Sequence, residues 1–430
     1  MNIPLDRLYH YIENIAQETY GDRIIIYRFY PHGSKNINDL SNLTNIKSRE
    51  WFNKTICPTV WCNDQEPLDY DFYSVNLRNK KDDPWLALLK SNNLYTPPTN
   101  LNYHQNGIFK KSLLLHSEQR STNVEKYQAD NKLIPVYYWS HALIARDWFR
   151  YAEHVKQTKQ INRTFLIYNR AWSNTREYRL KFAELLVRLD LQNRCRTSVN
   201  PIEPELGIHY EMHHFKNTIW RPRIVLENFF PTSNAHSSYS ADFDLEDYES
   251  TDIEVVLETL FDDSRLHLTE KILRPIACGQ PFILAGTHLS LEYLRSYGFK
   301  TFGHIWDERY DQCIDPEERL GRIADLMKQI ANWAPWVRER KMLEAQAIAD
   351  YNRQHFFSQE FFDCIIKELK TNLSIGFSEL TKVENYKLEY WHNLATNPQV
   401  IEFIKENQHD YWPTDVDLEE ILKLIKTKIS

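Results

Sequence analysis

No stretch of this 430-residue sequence approaches the roughly 18 consecutive apolar residues that a membrane-crossing helix needs, so no span is expected. The opening MNIPLDRLYHYIENIAQ carries acidic residues and lacks the apolar core of a secretory signal, so a cytoplasmic protein is expected. Under that expectation the sequons at Asn42, Asn53, Asn162 and Asn372 meet no glycosylation machinery. The six cysteines, Cys57, Cys62, Cys195, Cys278, Cys313 and Cys364, form no C-x-x-C pair, and several sit in apolar contexts as ordinary reduced core thiols do. There is no internal repeat and no low-complexity tract. A polybasic nucleic-acid clamp is also missing. Residues 1–160 hold 20 Lys and Arg against 17 Asp and Glu, and the remainder holds 32 against 42, for a net charge of −7. Net charge does not report patches, so a local phosphate-gripping groove stays open.

What is present is an ordinary globular balance: 42% hydrophobic and 26% charged residues. The 25 Tyr and 12 Trp can build cores or stack on sugars and bases, and decide nothing alone. The length suggests two domains and an extension.

The apolar pattern repeats twice. Leu5, Leu8, Ile12 and Ile15 share one face of a helix over 5–19. Strands are predicted at Arg23–Tyr30, Ile56–Cys62, Lys111–His116 and Ile134–Trp139, followed by a helix from about Ala142 to Val155. The polar QTKQIN marks a boundary at 157–162. Strands then recur at Thr164–Tyr168, Arg196–Val199, Ile253–Leu257, Pro281–Ala285 and Lys300–Phe302. Helices are predicted at Arg176–Leu189, Thr269–Cys278, Leu289–Tyr297 and Pro316–Trp333, and 231–250 reads as an acidic loop. One or two long helices cover 337–370, and two more lie near Val383–Ala395 and Asp417–Lys426. Strands alternating with helices imply parallel sheets covered on both faces. The expected architecture is α/β: two Rossmann-like doubly wound domains, residues 1–160 and 161–336, with a helical extension over 337–430.

In such sheets ligands bind beyond the carboxyl ends of the strands. The strand IEVVLE ends at Glu258, the loop after it carries Arg265, and Thr269 is a good N-cap for a helix with Glu270 and Lys271 in its first turn. Gly279 closes that helix. A helix N-terminus with Lys271 and Arg265 suits a diphosphate, and Glu270 could accept from ribose hydroxyls. Thr, Glu and Lys are also ordinary first-turn residues. The convergence of several polar groups on one strand end favours a site. Asn169 and Arg170 directly follow another strand, where a phosphate-binding Arg is expected, whereas Arg176 and Arg179 read as mostly structural.

Glu258, Leu268-Thr269-Glu270-Lys271, Pro275, Gly279 and Pro281 together resemble the donor-binding half of α-1,3-fucosyltransferases and related GT-B glycosyltransferases. The segment RTFLIYNRAWSNTREYRLKFAELL is similar to the opening of that family's second domain. The likeness covers roughly residues 163–305. Thr259-Leu260 replaces the family's Asn-Ser, and Leu268 replaces its Val. The resemblance implies a GT-B-like fold, a nucleotide-sugar cosubstrate such as a UDP- or GDP-sugar, inversion, and no metal or other cofactor. It gives Lys271 and an Arg to the donor phosphates and Glu270 to the ribose. The continuation LEYLRSYGFKTFGHIWDERYD resembles proteins of bacterial DNA viruses, which would place the chain in a host cytoplasm and adds a hydroxylated DNA base to the acceptors, beside a glycan or protein.

Transfer with inversion needs a base near the acceptor hydroxyl. The candidates are Asp64, Glu66, Glu118 and His141, each following a predicted strand. Glu66-Pro67 is similar to the family's Glu near a Pro. Asp242-Phe243-Asp244 mimics a metal-binding D-x-D but follows no strand, and His209 with His213 has zinc-like spacing without an obvious third ligand. No metal site is expected. The competing reading is a non-catalytic GT-B-like module that binds nucleotide or glycan.

Overall fold

A computed structural model describes residues 6–19, 25–29, 59–63, 113–122, 124–125, 134–137, 141–155, 157–204, 206–230, 235–237, 240–381, 397–399 and 402. It is a mixed α/β protein with parallel sheets. The chain divides into two compact units. One draws on 1–117, 121–139 and 367–430, and the other on 118–120 and 140–366.

The first unit contains α1 (Asp6–Thr19) and the strands β1 (Ile25–Phe29), β2 (Thr59–Asn63), β3 (Leu113–His116) and β4 (Ile134–Tyr137). The four strands are parallel in the order β1-β2-β3-β4. Leu8, Ile12, Ile15 and Ala16 bury one face of α1, as the helical spacing requires. Leu113, Leu114 and Leu115 are all buried, the run expected of a strand covered on both faces. A long C-terminal helix belongs to this unit from Lys367 onward. Its Gly376 lies against Val136 and Leu113, and its Asn372 donates to the Tyr137 carbonyl. The helices expected near Val383–Ala395 and Asp417–Lys426 lie outside the described residues.

The second unit holds α2 (Ala142–Trp148), β5 (Arg163–Ile167), α3 (Tyr178–Arg188), β6 (Cys195–Thr197), α4 (Leu245–Glu249), β7 (Thr251–Leu257), α5 (Glu270–Cys278), β8 (Phe282–Ala285), α6 (Ser290–Ser296), α7 (Pro316–Ala331), α8 (Pro335–Phe357) and the start of α9 (Gln359–Thr381). The helix expected to reach Val155 turns 3-10 after Trp148, over Arg150–His154. The sheet order is β6-β5-β7-β8, all parallel. The chain winds outward from β5 to β6 and then returns across to β7, so the reversal lies between β5 and β7. That is the point where open α/β sheets place ligands.

Two further predicted segments differ. Lys300–Phe302 is not a strand. Side chains satisfy its backbone instead: Lys300 N–H donates to Asn352 Oδ1 at 2.8 Å, Asn352 Nδ2 donates to the Lys300 carbonyl at 2.8 Å, and Phe302 N–H donates to Glu308 Oε1 at 2.7 Å. The acidic loop 231–250 contains α4, because Asp244 caps it by accepting from Asp247 N–H at 3.2 Å.

Candidate functional site

β7 is buried along nearly its whole length and delivers Glu258 at its carboxyl end, itself fully buried. Its carboxylate accepts from Thr269 N–H at 3.0 Å and from Thr269 Oγ1 at 2.7 Å. Thr269 Oγ1 in turn accepts from Lys271 N–H at 3.3 Å, so one carboxylate and one hydroxyl fix the first turn of α5. A negative group at a helix N-terminus is also favoured by the peptide dipoles. At the other end Gly279 takes the left-handed conformation, φ 66°, and Gln280 N–H closes onto the Pro275 carbonyl at 2.9 Å.

Glu270 is nine-tenths buried between two partners. Lys271 Nζ donates to Oε1 at 2.8 Å, and His141 Nδ1 lies 3.0 Å from Oε2. Burial pushes this carboxyl upward, but Lys271 and His141 outweigh it and hold Glu270 well below the usual carboxylate range. His141 is 1% exposed; its Nδ1 has the ion-pair contact with Glu270 but no hydrogen bond, and its Nε2 has no partner among the described residues. His267 packs edge-on against it at 5.3 Å. Burial, then repulsion from His141 and Lys271, keeps His267 well below the usual imidazole range, so it is neutral at neutral pH.

Arg265 forms the neighbouring knot. Its guanidinium grips Asp263 through contacts of 2.7 to 3.0 Å and reaches Glu118 Oε1 at 3.3 Å. Burial pushes the Asp263 carboxyl up, and Arg265 overcomes it, so the carboxyl ends below its ordinary value. Glu118 is held here because its segment is stitched to the Arg265 loop. Gln119 N–H donates to the Leu266 carbonyl at 3.0 Å, Leu266 N–H to the Arg120 carbonyl at 2.9 Å, and Arg120 Nε to the Ser264 carbonyl at 2.8 Å.

Glu258, Arg265, Thr269, Glu270 and Lys271 thus gather with Glu118 and His141 around the start of α5. Asp64 and Glu66 lie outside the described residues. Asn169 is buried; its side-chain amide donates to the Arg179 carbonyl at 2.9 Å and its backbone N–H donates to Ser198 Oγ at 2.9 Å. Arg170 is exposed. Between β5 and β7 the crevice carries side chains of α3. Arg179 donates to the carbonyls of Ala171 and Leu257, both at 2.6 Å, and Tyr178 donates to the Glu258 carbonyl at 2.7 Å. Three further residues of the cluster, His267, Asp263 and Arg120, are not singled out by sequence pattern. His267 alone leaves a signal, since it lies two residues before the cap.

The zinc-like pair of histidines resolves into ordinary pairings. His209 Nε2 pairs with Glu227, while His213 Nε2 lies 2.8 Å from Glu177, so the two histidines have separate partners. His236, Asp244 and Asp247 do bring ligand atoms within 4.8 Å of one another. Asp247, however, already forms an ion pair with Arg196 Nε at 2.5 Å and accepts from Tyr168 OH at 2.7 Å and His236 N–H at 2.8 Å. Comparison of the chain with protein-family models, with curated proteins and with solved structures finds no match.

Proposed function

We propose that this protein is a glycosyltransferase that moves a sugar from a nucleotide diphosphate, such as a UDP- or GDP-sugar, to a hydroxyl acceptor with inversion and without a metal. The observation that carries the reading is the start of α5. A capped helix N-terminus stands at the carboxyl end of β7, with Lys271 in its first turn and the His141–Glu270 pair beside it. The helix dipole favours a diphosphate, with Lys271, Arg265 and Arg170 supplying charge. The phosphates compete with Glu270 for Lys271.

His141 suits the base best among the candidates. Glu270, 3.0 Å from Nδ1, is placed to orient the ring as it charges, and Nε2 is left to take the acceptor proton. Glu270 then acts through His141 instead of receiving ribose hydroxyls. In this reading the two parallel sheets are the Rossmann-like halves of a GT-B-like enzyme, and the acceptor is a glycan, a protein hydroxyl or a hydroxylated DNA base. A second reading, a binding module without turnover, draws on the carboxylate partners that Arg265 and Lys271 already have.

Release of UDP or GDP from a panel of nucleotide sugars tests the proposal. Lys271→Ala should lower turnover about 10- to 100-fold, the loss of one charge-assisted contact. Turnover equal to the parent's would remove α5 from the donor site. Tight nucleotide-sugar binding with no release would leave the binding module.

A further inference from the structure

A cleft of about 660 Å³ opens in the second unit, walled by the 303–312 loop and residues of α7 and α8. It shares no lining residue with the cluster around Glu258 and Lys271.

Two of its cations are matched by carboxylates, a third is engaged by a carbonyl and a ring, and the exposed His304 is the remaining basic group of the lining. Arg309 Nη2 lies 2.6 Å from Asp307, with Nε 2.9 Å from both carboxylate oxygens. Arg295 lies 3.8 Å from Glu308, and Lys341 donates to the Ile305 carbonyl and rests 4.7 Å from the Trp333 ring centre. Asp307, Glu308 and Asp311 offset Arg295, Arg309 and Lys341 along the same wall, so it has little net charge to offer a phosphate.

What it offers is aromatic and amide surface. Trp333 is half-buried, and the exposed side chains of Gln312 and Gln329 each present a donor and an acceptor. Trp306 is 5% exposed and stacks on Phe302 at 4.6 Å. Its Nε1–H is buried without an acceptor among the described residues. Buried indole donors ordinarily find a partner.

We propose that this cleft binds a neutral carbohydrate. The exposed part of the Trp333 ring, beside Lys341, packs on the C–H face of a pyranose. Gln312, Gln329 and the Asp307–Arg309 pair exchange hydrogen bonds with neighbouring hydroxyls, and Trp306 Nε1–H donates to a hydroxyl oxygen. Each of these groups suits a ligand rich in paired donors and acceptors but without charge. None of these residues belongs to the cluster around α5, so the cleft can bind sugar whether or not that cluster transfers one.

Ligand-detected NMR on the full chain tests it, with maltotriose, cellotriose and chitotriose as probes and UDP and GDP as charged comparators. At least one trisaccharide should bind with a Kd of about 1 mM or tighter. Gln329→Ala, on an exposed helix position that cannot endanger the fold, should weaken it by roughly tenfold. Trp333→Ala should abolish it, Trp306→Phe should weaken it, and Lys271→Ala should leave it unchanged. The proposal is overturned if none of the three sugars binds, if binding survives both Gln329→Ala and Trp333→Ala, if it is lost in Lys271→Ala, or if UDP or GDP displaces the sugar.

Discussion

Glu270 holds His141 by Nδ1, at 3.0 Å, and holds Lys271 with its other oxygen, at 2.8 Å. The two partners come from segments far apart in the chain, so the triple contact exists only in the folded protein. Under the proposed function His141→Gln removes the base while keeping a polar side chain of similar reach. Turnover should fall about 100-fold or more, the usual contribution of a positioned base. Glu270→Gln should not weaken binding of UDP or GDP, because the phosphates no longer compete with a carboxylate for Lys271, and should lower turnover, because an amide no longer places His141 as the carboxylate does. Parent-like turnover in His141→Gln, with the fold intact by circular dichroism, would discard His141 as the base.

The Glu258–Thr269 contact bears on stability independently of function. Glu258→Ala strips the partner from Thr269 N–H and Oγ1, both buried. The variant should lose about 2–4 kcal/mol, the range for unpairing buried polar groups. Thr269→Ala removes the cap alone and should cost about 1 kcal/mol. Because the two share one hydrogen-bond chain, the double variant should lose less than the two singles combined. Urea unfolding of the four proteins measures this, and strict additivity would mean the two side chains do not act as one clasp.

Much of the parallel α/β pattern was legible because buried strands are written as continuous apolar runs. Val255, Val256, Ile283 and Leu284 could hardly belong elsewhere. The start and end of α5 were legible because Thr269 and Gly279 act through their own backbone. Lys300–Phe302 misled because its backbone partners, Asn352 and Glu308, are side chains that no local pattern announces. The pairing of Arg265 with Glu118 and of Glu270 with His141 was equally hidden. Each is a tertiary contact, and strand-end polarity marks only where such groups begin. The α3 side chains in the β5–β7 crevice were hidden in the same way, since Arg179 looks like any surface arginine until its three carbonyl partners are found.

Gly376 sets two effects of opposite sign against each other. An alanine in a helix interior gains about 1 kcal/mol over glycine. Its Cβ would stand 2.5 Å from Val136 Cγ2 and 3.1 Å from Leu113 Cδ2. Both neighbours belong to strands of the first sheet, and Leu113 is fully buried, so little room exists to yield. Overpacking of that kind costs about 1–3 kcal/mol. The clash should win, and Gly376→Ala should lower the melting temperature. A higher melting temperature would mean that α9 moves off β3 and β4 without cost.

Asp311 ties stability to pH. Burial raises its carboxyl from the ordinary 3.8 to about 6, while the Leu291 N–H, 3.1 Å from each oxygen, and the Arg295 charge pull the other way without prevailing. The folded chain therefore keeps this proton to higher pH than the unfolded chain does. Between about pH 4 and pH 6 the native state binds more protons, so its stability is fully present below about pH 4 and declines as pH rises through 6. A tenfold change in proton affinity is worth about 1.4 kcal/mol, so the loss amounts to no more than about 3 kcal/mol. Asp311→Asn keeps an oxygen for Leu291 N–H and does not titrate. Other ionising groups affect both proteins alike, so the comparison is the difference between them in urea midpoint from about pH 4 to pH 7. That difference should move steadily in favour of the variant as pH rises. If the two curves run parallel, the Asp311 carboxyl titrates at its ordinary value in the folded protein.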